Sequence, residues 1–202
     1  QISFKFFADI FSKVINSFDQ HRSTFNGLII YAVDGWQFTL PRAEDVVKGG
    51  FTGRATSKYR ESYMPKGFIT HAYDVLSETT KTFAINTSQT ELADALSFIG
   101  KLEKNSVTLY DRAYFSKALC IAHFEAGNYF IARCQSNANK QVSKFFADES
   151  KNSSGMYYKT AEGKKKIHFV KVINKKTGQT IVYATNLPRH WRNSKLFDQL
   201  YQ

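Results

Sequence analysis

The spacing of apolar side chains predicts alternating helical and extended segments. Apolar residues recur at intervals of three and four over about residues 7–19, which predicts an amphipathic helix. These residues are Ile10, Phe11, Val14, Ile15 and Phe18. The unbroken apolar run from Leu28 to Val33 predicts a central strand that is covered on both faces and ends at Asp34-Gly35, with an extended continuation after it.

Further along the chain, the pattern predicts an α/β core. The predicted elements are a hairpin over 68–76 and 81–87, a helix from Thr90 to about Lys104, a strand over 106–111, a helix over 116–126 and a strand over 128–134. Gly127 is expected to end the second of these helices. Strands and helices that alternate in this way are typical of a sheet with helices packed on it.

The pattern changes after residue 134. Residues 135–182, including the stretch QVSKFFADE, are predicted as short β segments joined by turns, and the chain ends in a helical pattern, NSKLFDQLYQ. The formal net charge is +11 over 202 residues, and residues 1–100 carry 10 basic and 10 acidic side chains. Residues 135–182 alone carry 10 Lys and 3 acids. This charge favours a polyanionic partner over a merely solvated surface.

Several common classes of protein are excluded by features that the sequence lacks. No apolar run reaches the roughly 18 residues of a membrane span, and the N-terminus lacks a signal-peptide pattern, so we expect a soluble, cytoplasmic protein. Cys120 and Cys134 have no metal-binding spacing and are predicted to be buried thiols. No nucleotide-binding loop, nucleophile elbow or zinc motif occurs in the sequence.

Asp34 and Asp111 each follow an apolar strand. If the two strands are neighbours, the carboxylates meet at the carboxyl edge of one sheet, where open α/β sheets bind ligands. Paired carboxylates repel unless a cation lies between them, and Mg²⁺ prefers such oxygen ligands. The spacing alone leaves another reading open, because an aspartate after a strand is just as often a helix cap or a turn residue.

Three stretches of the chain form a recognisable series over about residues 25–202: YAVDGWQFTLP, then TLYDRAYFSKALCIAHFEAGNYFIAR, then TIVYATNLP followed by LFDQLYQ. In this order they resemble the catalytic region of bacterial DDE transposases of the insertion-sequence-four type. The first aspartate of the family corresponds to Asp34, before Gly35, and the second to Asp111, before Arg112. The likeness also extends to Arg133.

The resemblance implies a fold and a mechanism. The fold is α/β, a ribonuclease-H-like mixed sheet with flanking helices, in which 1–134 is the first part of the core, 135–182 a basic β-rich insertion and 183–202 the return to the core. Asp34 and Asp111 are the implied catalytic and metal-binding residues, for two Mg²⁺ (or Mn²⁺) ions in the complete site. The implied partners are the double-stranded DNA of transposon ends and target, bound by a dimer at the bacterial nucleoid.

The chain departs from the family in its third acid. The family carries this acid in a helix with the pattern Tyr, two residues, Arg, three residues, Glu, then Lys. Tyr201 occupies the place of the tyrosine, and the sequence stops at Gln202, before the Arg, Glu and Lys. Asp198 does not fit the place of the Glu. We therefore expect these residues alone to be inactive in strand transfer.

Several basic residues are candidates for DNA contacts. Arg54, Lys58 and Arg60 lie in a long polar loop, and Lys164, Lys165 and Lys166 form a run on a predicted turn; either group contacts phosphates or is simply solvated. Arg112 either orients a phosphate or pairs with a neighbouring carboxylate. Trp36 is expected in the core. Two other functions stay open, a non-catalytic DNA-binding remnant and a metal-dependent nuclease of the same fold.

Overall fold

A computed structural model of the chain describes residues 4–18, 22–52, 55–57, 60–61, 64–174, 177–192 and 194–200. The helices are α1 (Phe4–Phe18), α2 (Glu44–Lys48), α3 (Glu91–Ile99), α4 (Lys117–Ala126), α5 (Lys140–Ala147) and α6 (Ser194–Leu200). The strands are β1 (Ile29–Thr39), β2 (Ala55–Ser57), β3 (Arg60–Glu61), β4 (Lys66–Asp74), β5 (Thr79–Asn86), β6 (Ser106–Tyr110), β7 (Tyr129–Arg133), β8 (Ser153–Thr160), β9 (Gly163–Ile173) and β10 (Thr180–Thr185). No helix in these ranges is long and apolar enough to cross a membrane.

Within the described residues, eight strands form one mixed sheet in the order β5-β4-β1-β6-β7-β10-β9-β8, and β2 and β3 form a separate pair. Strands β1, β6 and β7 run parallel to one another, and the other pairings are antiparallel. The prediction of an α/β fold with a mixed sheet and flanking helices is confirmed. The predicted hairpin is β4 and β5, and the strands of the predicted insertion continue the same sheet.

Both faces of the sheet carry a buried cluster of side chains. Successive residues of a strand contribute to opposite faces. Tyr31 belongs to a buried cluster that includes Phe98 of α3, so we call this side the α3 face. Ile30 belongs to a second cluster that includes Phe197 of α6, so we call the opposite side the α6 face. The ring of Phe197 stacks on Tyr183 of β10 with centroids 5.3 Å apart, which fixes α6 over this part of the sheet.

One part of the predicted β-rich stretch is a helix. The stretch QVSKFFADE lies in α5, whose Val142 and Phe145 are buried against the α3 face. The side chain of Asn139 accepts hydrogen bonds from the backbone N–H groups of Gln141 and Val142 at 3.0 and 2.9 Å, and so caps the helix. The predicted run of β segments is therefore wrong here, because the cap and a helical apolar spacing outweigh the short alternation.

Helix α4 follows its sequence signals closely. Ser116 accepts a hydrogen bond from the N–H of Leu119 at 3.2 Å, and Gly127 ends the helix with φ 72°. That backbone conformation is favourable for glycine because it has no Cβ. Cys120 on this helix and Cys134 are free, buried thiols, as predicted.

A buried polar network joins α4 to β6 and β7. His123 contacts the hydroxyl of Tyr110 through Nε2 at 3.0 Å and Asn128 Oδ1 through Nδ1 at 2.6 Å. Asn128 donates to the carbonyl of Ile99 at 3.0 Å. Since an amide oxygen only accepts, Nδ1 of His123 carries the proton and Nε2 accepts from Tyr110. Tyr110 is thereby held in place directly before Asp111.

Candidate active site

Strand β1 changes its neighbours at Asp34. Strand β6 pairs with the first half of β1, and their last pair is Val33 with Tyr110. Strand β1 continues to Thr39 and from Asp34 onward pairs with β4 alone. The prediction that Asp34 ends its strand is therefore wrong. Asp34 and Asp111 are instead the residues that follow the last pair of two adjacent parallel strands, at the edge where such sheets bind ligands.

Both aspartates belong to the α6 face by strand alternation. Ile30 and Leu109 are buried in the cluster on that face. Steps of two residues lead from Ile30 to Asp34 and from Leu109 to Asp111. Asp34 is exposed, and the side chain of Asp111 is 62% exposed. The pair is thus open to solvent on the face that also carries α6.

The surroundings of Asp34 come from β1 and β4. Its Oδ1 accepts a hydrogen bond from the N–H of Gly35 at 2.8 Å. His71 is its partner on β4, and burial lowers the pKa of His71 although the Asp34 carboxylate opposes this shift. The ring of Trp36 packs edge-on against His71 with centroids 5.0 Å apart. Trp36 is 49% exposed, so its predicted place in the core is wrong. It lies in the half of β1 that extends past β6 and pairs there with β4.

Arg133 forms an ion pair with Asp111 at this edge of the sheet. It ends β7, and its Nη1 lies 3.4 Å from Asp111 Oδ1. Within the described residues its Nε is buried without a hydrogen-bond partner. Asp111 makes no side-chain capping bond to the 3₁₀ turn that follows it, which argues against a cap as the role of this carboxylate. The pairing that was considered for Arg112 is made by Arg133.

Glu91 and Tyr114 are two residues of this region that the sequence did not single out as site residues. A Cβ placed on Gly35 would lie 2.7 Å from Cγ of Glu91, so the Glu91 side chain crosses directly over Gly35. The hydroxyl of Tyr114 is buried and, in the described part of the chain, has no hydrogen-bond partner. Burial raises the pKa of Tyr114, and the nearby acids Glu91, Asp34, Asp94 and Asp111 raise it further. The edge of the sheet therefore carries a local excess of negative charge.

The two aspartates supply some, but not all, of the ligands that a divalent cation needs. Asp34 and Asp111 supply exposed carboxylate oxygens on neighbouring strands, which are ligands that Mg²⁺ and Mn²⁺ accept together with water. No cluster of three or more His, Cys, Asp or Glu side chains arranged to hold a metal occurs among the described residues. The two aspartates fit as a partial site that needs at least one more donor.

The predicted DNA-binding residues are spread over the molecule. Arg54 and Lys58 lie outside the described residues, and of Arg60 the structure describes the backbone, in β3. Arg112 lines a cavity of about 400 Å³ together with Cys134 and Gln135, beside Asp111. Arg112 is thus the member of this set that directly follows one of the two aspartates.

The three predicted lysines lie on strand β9, after the turn at residues 161–162, and not on the turn itself. Lys165 pairs with Glu162 at 2.9 Å. Lys164 and Lys166 point to the α6 face, because Val170 on the same alternation is buried there. The Nζ of Lys166 lies 5.7 Å from the ring centroid of Tyr157.

Comparison with known proteins gives the family. The sequence matches the family described as "Transposase DDE domain" over residues 26–202, and the chain belongs to that family. A search of curated proteins returned no match.

Among solved structures, the fold is similar to the piggyBac transposase in a synaptic complex with hairpin DNA. The similarity covers 85% of this chain at 10% sequence identity, with a TM-score of 0.49. This chain spans 37% of the length of that transposase chain.

Proposed function

We propose that the chain is most of the catalytic region of a DNA transposase of the insertion-sequence-four type, from a bacterial element that moves by cutting and pasting. The observation that carries the proposal is the register of β1 and β6, in which Asp34 and Asp111 follow the last pair of two parallel strands. Membership of the transposase family supports the assignment. The substrate is double-stranded DNA, at the transposon ends and the target, bound by a dimer.

Asp34 and Asp111 would hold the divalent cations, Mg²⁺ or Mn²⁺, which supply charge stabilisation at the phosphodiester and activate a water or a 3′-hydroxyl when bound. The chain's own residues orient these carboxylates. Gly35 donates its N–H to Asp34, and Arg133 forms an ion pair with Asp111 at 3.4 Å that a bound cation would displace. Neither aspartate acts as a free base in this proposal.

The third acid of the family would complete the donor set. Helix α6 packs on the α6 face through Phe197, the face to which Asp34 and Asp111 also belong. A Glu further along this helix, in the family's pattern after the tyrosine at position 201, would be carried toward that face. Residues 1–202 on their own are proposed to bind metal and DNA but not to transfer strands.

The first test measures metal binding without requiring catalysis. Mn²⁺ or Mg²⁺ at about tenfold above its dissociation constant would raise the free energy of unfolding by about 1.4 kcal/mol. Asp34→Asn and Asp111→Asn should each remove most of this gain. Glu125→Gln removes an equal charge from an exposed position on α4 and should leave it unchanged. An equal gain in all four proteins would contradict the proposed site.

A second test separates the proposed transposase from the nuclease and the DNA-binding remnant. The chain is extended by a helix that supplies the Arg, Glu and Lys of the family pattern, and metal-dependent nicking and joining of plasmid DNA are measured. Nicking with joining supports the transposase, and nicking alone supports the nuclease. No cleavage by the extended chain supports the non-catalytic remnant.

A further inference from the structure

A groove of about 940 Å³ lies at the other end of the sheet from β4 and β5. It is formed by β8, β9 and the segment that follows β10. Lys166 and His168 of β9 line it. Arg189, the first residue of the 3₁₀ turn Arg189–Trp191, and Arg192, which follows that turn, line it as well. Ser153 and Ser154 of the edge strand β8 add hydroxyl groups to its wall. The groove is thus lined by neutral donors and by five basic residues, of which Lys171 donates instead to the backbone carbonyls of Phe146 and Asp148.

The other four basic groups are close enough to repel one another. Burial lowers the pKa of Arg192, and the nearby charge of Arg189 lowers it further. Burial lowers the pKa of His168 to about 4, and the charges of Arg192 and Lys166 act in the same direction. None of the ion pairs found within the described residues joins any of these four side chains to a carboxylate.

Arg192 also carries an unsatisfied donor. Its Nε is buried and has no hydrogen-bond partner in the part of the chain that the structure describes. A buried donor without a partner is costly, and more so on a charged group, because it has given up its hydrogen bonds to water. An anion in the groove would accept from Arg192 and screen the repulsion among Lys166, Arg189 and Arg192. A phosphate suits this role because several guanidinium and hydroxyl donors can share its oxygens.

We propose that the groove formed by Lys166, His168, Arg189 and Arg192 binds a backbone phosphate of nucleic acid. The site deepens the proposed transposase function and rests on it for the nature of the ligand. Arg189, Arg192 and His168 are phosphate-binding residues in this proposal, and Gly155 lets β8 approach the backbone of β9 closely beside His168. A Cβ on Gly155 would lie 2.6 Å from the carbonyl oxygen of Ile167.

The register of the sheet connects this groove to the paired aspartates. His168 pairs with Thr185, Thr185 with Ile131, and Ile131 with Leu109, so these residues form one row across four strands. Leu109 lies two residues before Asp111 and on the same face. One nucleic-acid strand can therefore contact the groove and the aspartates from the same side of the sheet.

The test compares two charge-matched double variants of the 202-residue chain, without added metal. Arg189→Gln with Arg192→Gln removes two charges from the groove. Lys140→Gln with Lys144→Gln removes two charges from exposed positions of α5, which packs on the opposite face. Duplex DNA binding is measured as a function of salt, and the pKa of His168 is followed by NMR with and without inorganic phosphate or duplex.

We expect the groove variant to lose affinity on the order of tenfold and its log–log salt slope to fall by about two, with a smaller loss of affinity in the α5 variant. Arg192→Lys keeps the charge and serves as a folding control that should retain most of the affinity. Phosphate or duplex should raise the pKa of His168 in the unaltered chain.

Equal losses of affinity in the two double variants, or a His168 pKa that neither ligand changes, would overturn the proposed site. A further outcome is that inorganic phosphate raises the pKa of His168 while neither the unaltered chain nor any variant binds duplex DNA. In that case the anion site stands and the DNA function proposed above fails. The two proposals are therefore tested separately.

Discussion

The Nη1 of Arg133 lies 3.4 Å from Oδ1 of Asp111, at the ends of two adjacent parallel strands. The guanidinium offsets part of the negative charge of the site and competes for an oxygen that a divalent cation would use. The pair is solvent-accessible, with side-chain exposures of 28% for Arg133 and 62% for Asp111, so its contribution is of the size of a surface ion pair.

We predict that Arg133→Gln tightens Mn²⁺ binding by roughly two- to fivefold, because loss of a surface ion pair frees the Asp111 carboxylate. Titration calorimetry would measure the change. Arg112→Gln removes the same charge from the adjacent 3₁₀ turn and is expected to have a smaller effect. Weaker Mn²⁺ binding in Arg133→Gln than in Arg112→Gln would show that Arg133 supports the metal site and does not compete with it.

A second prediction concerns the contact between Gly35 and Glu91. The Cβ of an alanine at position 35 would lie 2.7 Å from Cγ and 2.9 Å from Cδ of Glu91, so Gly35→Ala must displace this side chain. We expect a loss of about 1–2 kcal/mol in the free energy of unfolding, typical of overpacking. In a Glu91→Ala background the same change should be neutral or slightly stabilising, since alanine is favoured over glycine in a strand.

Chemical denaturation of the four proteins of this double-mutant cycle would give the coupling energy between positions 35 and 91. Additive effects of the two substitutions would mean that the Glu91 side chain does not occupy the space over Gly35.

A third prediction follows from the buried network of His123. Burial lowers the pKa of His123 from 6.5 to about 4, while its bond to Asn128 acts in the opposite direction. The unfolded chain therefore binds a proton between pH 6.5 and about 4 that the folded protein does not, and stability falls as the pH falls through this range. The loss attributable to His123 is about 3 kcal/mol.

Urea denaturation at pH 7 and pH 4.5, on the unaltered chain and on His123→Gln, would isolate this contribution. The variant should be less stable at pH 7, because the Tyr110 and Asn128 groups lose their partner, but its stability should fall less on acidification. Parallel losses in the two proteins would assign the pH dependence to other groups.

The elements with strong local signals could be predicted from the sequence. The helix that Ser116 begins and Gly127 ends, and the β4–β5 hairpin, are set by neighbours in the chain. Helix α5 was missed although Asn139 supplied a capping residue, because a helix of two turns carries few apolar positions on which to judge its period.

Which strands pair with one another could not be predicted from the sequence. The apolar run of β1 predicts a buried strand, but the same pattern fits several neighbours, and the pairing with β6 depends on the whole sheet. Trp36 was misplaced for this reason. Glu91 and Arg192 gave no local signal, since their surroundings come from residues distant in sequence.

The row from Leu109 through Ile131 and Thr185 to His168 also sets a distance between the two proposed sites. Three strand spacings of about 4.8 Å and two residues of about 3.3 Å separate His168 from Asp111 by roughly 16 Å. At about 3.4 Å per base pair, that length spans four to five base pairs of duplex. If both proposed sites bind one DNA duplex, the hydrogen-bonded strands between them set the number of base pairs that separate the bound phosphate from the phosphate that is cleaved.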